Sequence, residues 1–315
     1  VVKLSGGSMG TTWHVTYVTL DNLPVEGEIL AGIEARLEAV NASMSTYRED
    51  SEISLVNAAP PDTWLGISAD FHRVLATALE VGRLSEGAYD VTVGPLVNLW
   101  GFGPQSTPDA VPEPARVAAL LQQVGQGKLR LDGEGARIRK LADLSLDFSS
   151  LAKGYAVDQI ALWLEQQGIT RYLVEVGGEM RVAGLSGRGD PWRIAIEEPE
   201  IDARGVAAAV ELSDAAIATS GDYRNYFELD GQRYSHSIDP RTGVPVAHEL
   251  VSVTVVHPSA MVADAWATAL IVLGPERAAE VAESQGLAVY FIQRDGDGFA
   301  HSHTAGFTRY LPTSG

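Results

Sequence analysis

The stretch that decides the fold runs from Leu250 to Gln293, LVSVTVVHPSAMVADAWATALIVLGPERAAEVAESQGLAVYFIQ. It reads as a strand over Leu250–His257, a helix over Met261–Leu273, a second helix over Pro275–Gln285 and a strand over Ala288–Gln293. Just upstream, Asn225–Leu229 and Gln232–Ile238 flank Asp230-Gly231, a pair that favours a tight hairpin turn. Further strands are expected at Tyr172–Val176, Trp192–Ile196, Ala207–Leu212 and Ala216–Thr219. A helix over Ala152–Gln167 stops at Gly168, which suits a C-cap. Before it, Leu129–Leu131, Arg137–Lys140 and Ser145–Asp147 read as short strands.

Four prolines, Pro104, Pro108, Pro112 and Pro114, mark a loop over Gly103–Pro114 that reads as an insertion, followed by a helix over Ala115–Gln123. Apolar residues recur at helical spacing at Ile29, Ile33, Leu37 and Val40, and again at Phe71, Val74, Leu75, Ala78 and Leu79. These predict helices over Ile29–Met44 and Asp70–Glu86. At the N-terminus a strand over Thr11–Val18 is expected, entered from a loop containing Gly6-Gly7. Strands and helices mix throughout and hairpins recur. That pattern predicts an α+β fold with antiparallel sheets and flanking helices, residues 1–315 forming a single domain, rather than a doubly wound sheet.

The chain has 315 residues, of which 45% are apolar, and a formal net charge of −18. That length and composition support a large core without a disulfide or structural metal. Nucleic acid and anionic lipid are disfavoured as partners, because binding them needs clustered Lys and Arg to replace counterions. A phosphate-rich ligand would need local neutralisation, for which a divalent cation is suited. There is no Cys, which excludes disulfides, thiolate nucleophiles and Cys-ligated metals, and leans towards an oxidising compartment. The most apolar run, Val262–Leu273, is too short to span a membrane and contains Asp264. No HExxH, GxSxG, GxxxxGK[ST] or GxGxxG pattern occurs where zinc hydrolysis, an α/β-hydrolase, a P-loop or a Rossmann site would need it.

Four segments carry candidate chemistry. In Asp147-Phe148-Ser149-Ser150-Leu151-Ala152-Lys153-Gly154-Tyr155-Ala156 a strand is expected to hand over to a helix. Free N–H groups at a helix start attract anions, and Lys153 sits in a first turn that normally prefers negative charge. A bound phosphate explains that; a Ser N-cap with an exposed Lys is the alternative. In Tyr234-Ser235-His236-Ser237-Ile238-Asp239-Pro240-Arg241-Thr242-Gly243 a Pro-containing turn holds His236 at a strand end. His236 is a candidate general base, or else an incidental surface histidine.

In Ala263-Asp264-Ala265-Trp266-Ala267-Thr268-Ala269-Leu270, Asp264 and Thr268 share a helix face. A carboxylate and a hydroxyl there are oxygen ligands of the type Mg2+ takes, although Asp264 could instead cap the helix. Finally, the segment Gly87–Gly103 is rich in Gly and aromatics, as if backbone approached a flat ligand closely, and Met44-Ser45-Thr46-Tyr47-Arg48 adds another aromatic. Packing explains both equally.

In order along the chain, several pieces resemble the ApbE family of FAD:protein FMN transferases. They are Met9-Gly10-Thr11-Thr12, Met44-Ser45-Thr46-Tyr47, Tyr89-Asp90-Val91-Thr92-Val93-Gly94-Pro95-Leu96, Asp147 through Ala156 and Val176-Gly177-Gly178-Glu179. Thr219-Ser220-Gly221-Asp222-Tyr223, His236 through Gly243 and Ala263 through Ala269 complete the set. The resemblance implies an ApbE-type, T-fold-like architecture. It also implies cleavage of FAD at its pyrophosphate, transfer of FMN to a Thr or Ser hydroxyl of a target protein, and release of AMP.

The metal site it implies is Ser150, Asp264 and Thr268, holding Mg2+. Many relatives have Ala where Ser150 stands, so the backbone carbonyl is the implied ligand there. The implied FAD contacts are Met9, Tyr47, Ala88, Tyr89, Asp90, Asp147, Lys153 and Ile238, with His236 as the base. The implied partners are subunits of membrane redox complexes. The implied location is the periplasmic face of the inner membrane, with the export signal and lipid anchor in a precursor. An FAD pyrophosphatase and a flavin-binding lipoprotein without turnover are the competing readings.

Overall fold

The computed structural model describes residues 1–312 except 21, 103–109, 133, 135, 200–204 and 222–225. In chain order the strands are β1 (Val2–Ser8), β2 (Thr11–Tyr17), β3 (Trp64–Gly66), β4 (Leu129–Leu131), β5 (Arg137–Lys140), β6 (Tyr172–Val176), β7 (Glu179–Ala183) and β8 (Trp192–Glu197). They continue with β9 (Val206–Leu212), β10 (Ala215–Gly221), β11 (Tyr226–Leu229), β12 (Gln232–Ser235), β13 (Leu250–His257), β14 (Ala288–Asp295) and β15 (Gly298–His303). The helices are α1 (Glu26–Met44), α2 (Glu52–Ala58), α3 (Ala69–Leu84), α4 (Gly94–Leu99), α5 (Pro114–Leu121), α6 (Ala152–Gln166), α7 (Ala260–Leu273) and α8 (Pro275–Ser284).

An eight-stranded sheet in the order β1-β2-β6-β7-β10-β13-β14-β15 forms the frame. Every neighbouring pair in it is antiparallel. The decisive stretch explains why its centre is buried on both sides. In β13, Leu250, Val253 and Val255 join the core that contains Ile29, Phe71, Ile160 and Leu270, while Val251 and Val256 join a second core with Trp192, Val210 and Phe307. A strand covered on both faces reads as a continuous apolar run rather than an alternation. The first core lies under α1, α3, α6 and α7; the second lies under the β8–β9 ribbon. A third, smaller cluster joins Leu96, Trp100, Val117 and Ile238.

The α+β expectation with antiparallel sheets and flanking helices holds. Three local expectations change. Ser145–Asp147 runs without strand pairing: Leu146 donates its N–H to Asn57 Oδ1 (2.7 Å) and accepts from Asn57 Nδ2 (2.9 Å), so one carboxamide takes the place of a neighbouring strand. Gly6 and Gly7 lie inside β1 and not in a loop. A Cβ on Gly6 would sit 2.7 Å from the Trp13 indole, so glycine makes room for that buried ring. Pro114 is the first residue of α5 rather than the end of a loop, a position where its missing N–H does no harm. Pro104 and Pro108 of the expected insertion, Asn225 of the hairpin, and Asp222 and Tyr223 of the quoted motif lie outside the described residues. Among the described residues no helix is long and apolar enough to cross a membrane.

Candidate active site

Helices α6 and α7 meet with their starts crossed. A Cβ on Gly154 would lie 2.4 Å from the Ala260 carbonyl oxygen, so only glycine permits this approach. The contact carries Asp264, five residues into α7, to the start of α6, where Oδ2 accepts the Gly154 N–H at 3.1 Å. Ser259 caps α7 itself, accepting from the Val262 N–H. Asp264 is therefore a cap, but of the neighbouring helix. With Leu151 as the N-cap, the Gly154 N–H is one of the first-turn donors that a helix leaves without an intrahelical partner. Asp264 satisfies it, and the Ser150 carbonyl, outside the helix, accepts no backbone N–H among the described residues.

The start of α6 is only in part the cradle of free N–H groups that the sequence suggested: among the described residues the Lys153 N–H has no protein acceptor, but its neighbours do. Leu151 and Ala152 both donate to the Phe148 carbonyl, and Gly154 to Asp264. The charge of Lys153 is answered by a carboxylate the sequence reading did not single out. Its Nζ lies 3.0 Å from Glu179 Oε2, and Glu179 is almost fully buried. Burial alone would lower the Lys153 pKa; Glu179 and Asp264 more than reverse this and raise it. Burial holds Asp264 well above the usual carboxylate range, and the nearby Glu179 pushes the same way against Lys153 and the Gly154 N–H. Burial likewise raises Glu179.

These groups face a cavity of about 370 Å³, whose walls include Ala88, Tyr89, Asp90, Asp147, Lys153, Ile238, His236, Ser150, Asp264 and Thr268. A second cavity, of about 500 Å³, is walled by Met9, Met44 and Tyr47. The two share Asp147, Ser149 and Lys153, so they adjoin at the start of α6. Every residue expected at the site therefore lines one chamber or the other.

Their availability differs. Met9 and Gly10 form the two-residue turn between β1 and β2, both with positive φ (54° and 71°). Tyr47 is 78% exposed and open to a ligand. Tyr89 is buried, its hydroxyl 2.8 Å from Ser150 Oγ, and burial raises its pKa. The Asp90 carboxylate is occupied: Oδ1 accepts from the N–H and hydroxyl of Thr92, and Oδ2 from the Gln126 N–H. It shapes the wall without offering a free oxygen. Asp147 Oδ1 accepts the Ser149 N–H, which fixes the turn into α6.

His236 directly follows β12, at the strand end expected for it. The next turn has the predicted form: Thr242 and Gly243 donate to the Asp239 carbonyl, Arg241 pairs with Asp239 at 2.8 Å, and Gly243 has φ +75°. Phe102 meets the imidazole edge-on at 6.3 Å, and Phe227 stacks on Tyr234 at 5.0 Å. Thr268 Oγ1 lies 3.4 Å from Ser220 Oγ, one helical turn beyond Asp264.

The donor set suits a hard divalent cation. A buried carboxylate with a single N–H donor, an open backbone carbonyl and a hydroxyl are all oxygen ligands, and Mg2+ commonly takes one or two carboxylates and completes its shell with water and phosphate. No cluster of three or more His, Cys, Asp or Glu able to hold a metal occurs among the described residues.

Comparison with known proteins shows what the whole chain resembles. The model of the ApbE family matches residues 9–291. A Haemophilus influenzae protein named FAD:protein FMN transferase is 46% identical, over 99% of this chain and 92% of its own length. The solved flavin transferase ApbE from Vibrio cholerae superposes with a TM-score of 0.92 at 44% identity, covering 98% of this chain and 99% of that one. The apo form of flavinyl transferase ApbE from Pseudomonas stutzeri gives a TM-score of 0.92 at 40% identity, over 99% of this chain and 97% of its own. A match running through both chambers and the crossed helix starts leaves a plain conclusion: this chain belongs to the ApbE family.

Proposed function

We propose that the protein is an FAD:protein FMN transferase that uses Mg2+ and releases AMP. The observation that carries this reading is the pair of adjoining cavities whose shared wall is Asp147, Ser149 and Lys153. FAD is two mononucleotides joined by a pyrophosphate, which matches two chambers meeting at a cation. Lys153 would bind the phosphates, and Tyr47 and Met9 would contact one mononucleotide. Asp264, Thr268 and the Ser150 carbonyl would hold the metal, which when bound withdraws charge from the phosphates and makes them easier to attack.

In the transfer, the acceptor Thr or Ser oxygen forms a bond to the FMN phosphorus. The bond from that phosphorus to the bridging oxygen breaks, and its electron pair leaves with AMP. His236 takes the hydroxyl proton. A positioned base of this type is worth about 10²–10⁴-fold. The aromatic contact from Phe102 and the turn at Asp239–Gly243 restrict where the imidazole can point. Acceptor subunits of membrane redox complexes, a periplasmic location and a lipid anchor belong to the same proposal and rest on the family resemblance.

The test is to incubate the protein with FAD, Mg2+ and a purified acceptor subunit. The expected result is an FMN-sized mass increase on a Thr or Ser of the acceptor together with AMP. Rapid release of free FMN without acceptor would make the protein a pyrophosphatase, and FAD binding without AMP would make it a carrier. His236→Ala should slow transfer by about 10²–10⁴-fold while FAD still binds; an unchanged rate removes the base role.

A further inference from the structure

Glu179 begins β7 directly after Gly177 and Gly178, both of which have positive φ (58° and 104°). That turn drives its carboxylate into the cavity wall, where the residue is 4% exposed. Its Oε2 has Lys153 Nζ at 3.0 Å but in a geometry poor for a hydrogen bond, so the contact is chiefly ionic. Gly177 shapes the path of the lysine: a Cβ there would lie 2.9 Å from Lys153 Cδ. Burying a carboxylate with so few hydrogen bonds is costly. A structural role alone does not call for it, since a neutral side chain could fill the same space.

The second carboxylate in this wall is Asp264. It is anchored to the N–H of Gly154, the residue immediately after Lys153. Two buried carboxylates thus stand beside one ammonium, and the ammonium sits on Glu179. We propose that Glu179 is a positioning residue that holds Lys153 away from Asp264, so that Asp264 keeps an open oxygen for a divalent cation. Without Glu179, Lys153 would pair with Asp264 and compete with the metal. This inference rests on the reading of Asp264 as a metal ligand.

Titration with Mn2+ alone, followed by electron paramagnetic resonance, tests it on four proteins: wild type, Glu179→Gln, Lys153→Met and the double variant. Partners behind a metal ligand typically matter by about 10–100-fold in affinity, and a loss of that size is expected for Glu179→Gln in the wild-type background. In the Lys153→Met background most of that loss should vanish, because no ammonium remains to occupy Asp264. An equal loss in both backgrounds would reduce Glu179 to a remote negative charge and overturn the proposal, as would no loss in the wild-type background. Failure of the wild-type protein to bind Mn2+ would instead break the metal reading itself, and this proposal with it. Thermal melting of each variant checks folding. Glu179→Gln removes one partner of the pair, but Lys153 then turns to Asp264, so its midpoint should stay near wild type; a large fall would mark a stranded ammonium and overturn the proposal.

Discussion

Helices α6 and α7 cap each other, and their two carboxylates have opposite fates. Asp158 of α6 reaches the start of α7. Its Oδ1 accepts from the Ala260 N–H and from Arg181 Nη1, both at 3.0 Å. Its Oδ2 accepts from the Met261 N–H at 3.0 Å and the Ser259 hydroxyl at 2.7 Å. Asp264 of α7 reaches the start of α6 and accepts one N–H, from Gly154. Both side chains are buried. One is saturated with donors, and the other keeps open lone pairs in a cavity that also holds a lysine and a second carboxylate. Burial therefore does not distinguish the two acids; the number of donors does. Unmet capacity in a buried carboxylate is what a cation would satisfy.

Exchanging the two roles by mutation is the direct way to break this comparison. Asp264→Ala should lower flavin transfer by at least about 10²-fold, because losing a metal worth several kcal/mol of transition-state stabilisation is a change of that order. Its urea midpoint should move by no more than one cap is worth, about 1 kcal/mol. Full transfer activity would overturn the metal assignment, and a large stability loss would make Asp264 a second Asp158. Asp158→Ala should do the reverse. It leaves the N–H groups at the start of α7 and the Ser259 hydroxyl without their acceptor and takes one of two carboxylates from Arg181, which keeps Glu165 at 3.2 Å; stranding buried donors in this way costs about 1–3 kcal/mol. The fraction that remains folded at low temperature should bind FAD as wild type does. A shift below about 1 kcal/mol would mean the four donors are readily satisfied by water.

The sequence exposed these two residues unequally. Asp264 stood out because an acid inside an apolar helix, with Thr268 at i+4, is conspicuous within one window. Asp158 lies in a helix whose sequence also carries Lys153, Gln159 and Glu165, so an acid draws no notice there, and its partners at positions 259–261 are about a hundred residues away. Glu179 was legible as part of the Gly-Gly-Glu motif, but its pairing with Lys153 depends on how β7 lies against α6. The same limit applies to the fold. The apolar run of β13 and the stripes of α1 and α3 are local signals, and the structure forms those elements. Ser145–Asp147 looked like a strand because its residues suit one; its backbone is satisfied by the Asn57 side chain, which no window around residue 146 contains. The edge strand β15 carries no such signal, because its largely exposed side chains give no burial alternation. The two chambers emerged only when segments near 9, 47, 89, 153 and 238 were brought together.

The smallest expected effect sharpens the structural half of the comparison. His257 ends β13 two residues before Ser259, and its Nδ1 accepts the Ser259 N–H at 3.0 Å. Burial lowers its pKa below the ordinary histidine value. The folded protein therefore disfavours protonation here, and the unfolded chain takes up more protons at mildly acidic pH. Its contribution to stability is complete above the unfolded pKa of about 6.5 and is lost as pH falls below it. Protonation would also remove the lone pair that orients Ser259, whose hydroxyl both caps α7 and donates to Asp158. The urea midpoint of the wild-type protein should fall between pH 7.5 and pH 5.5. In His257→Asn, which keeps an acceptor but does not titrate, the fall should be smaller. Equal slopes in the two proteins would remove His257 from the cluster around Asp158 and leave the start of α7 to its carboxylate alone.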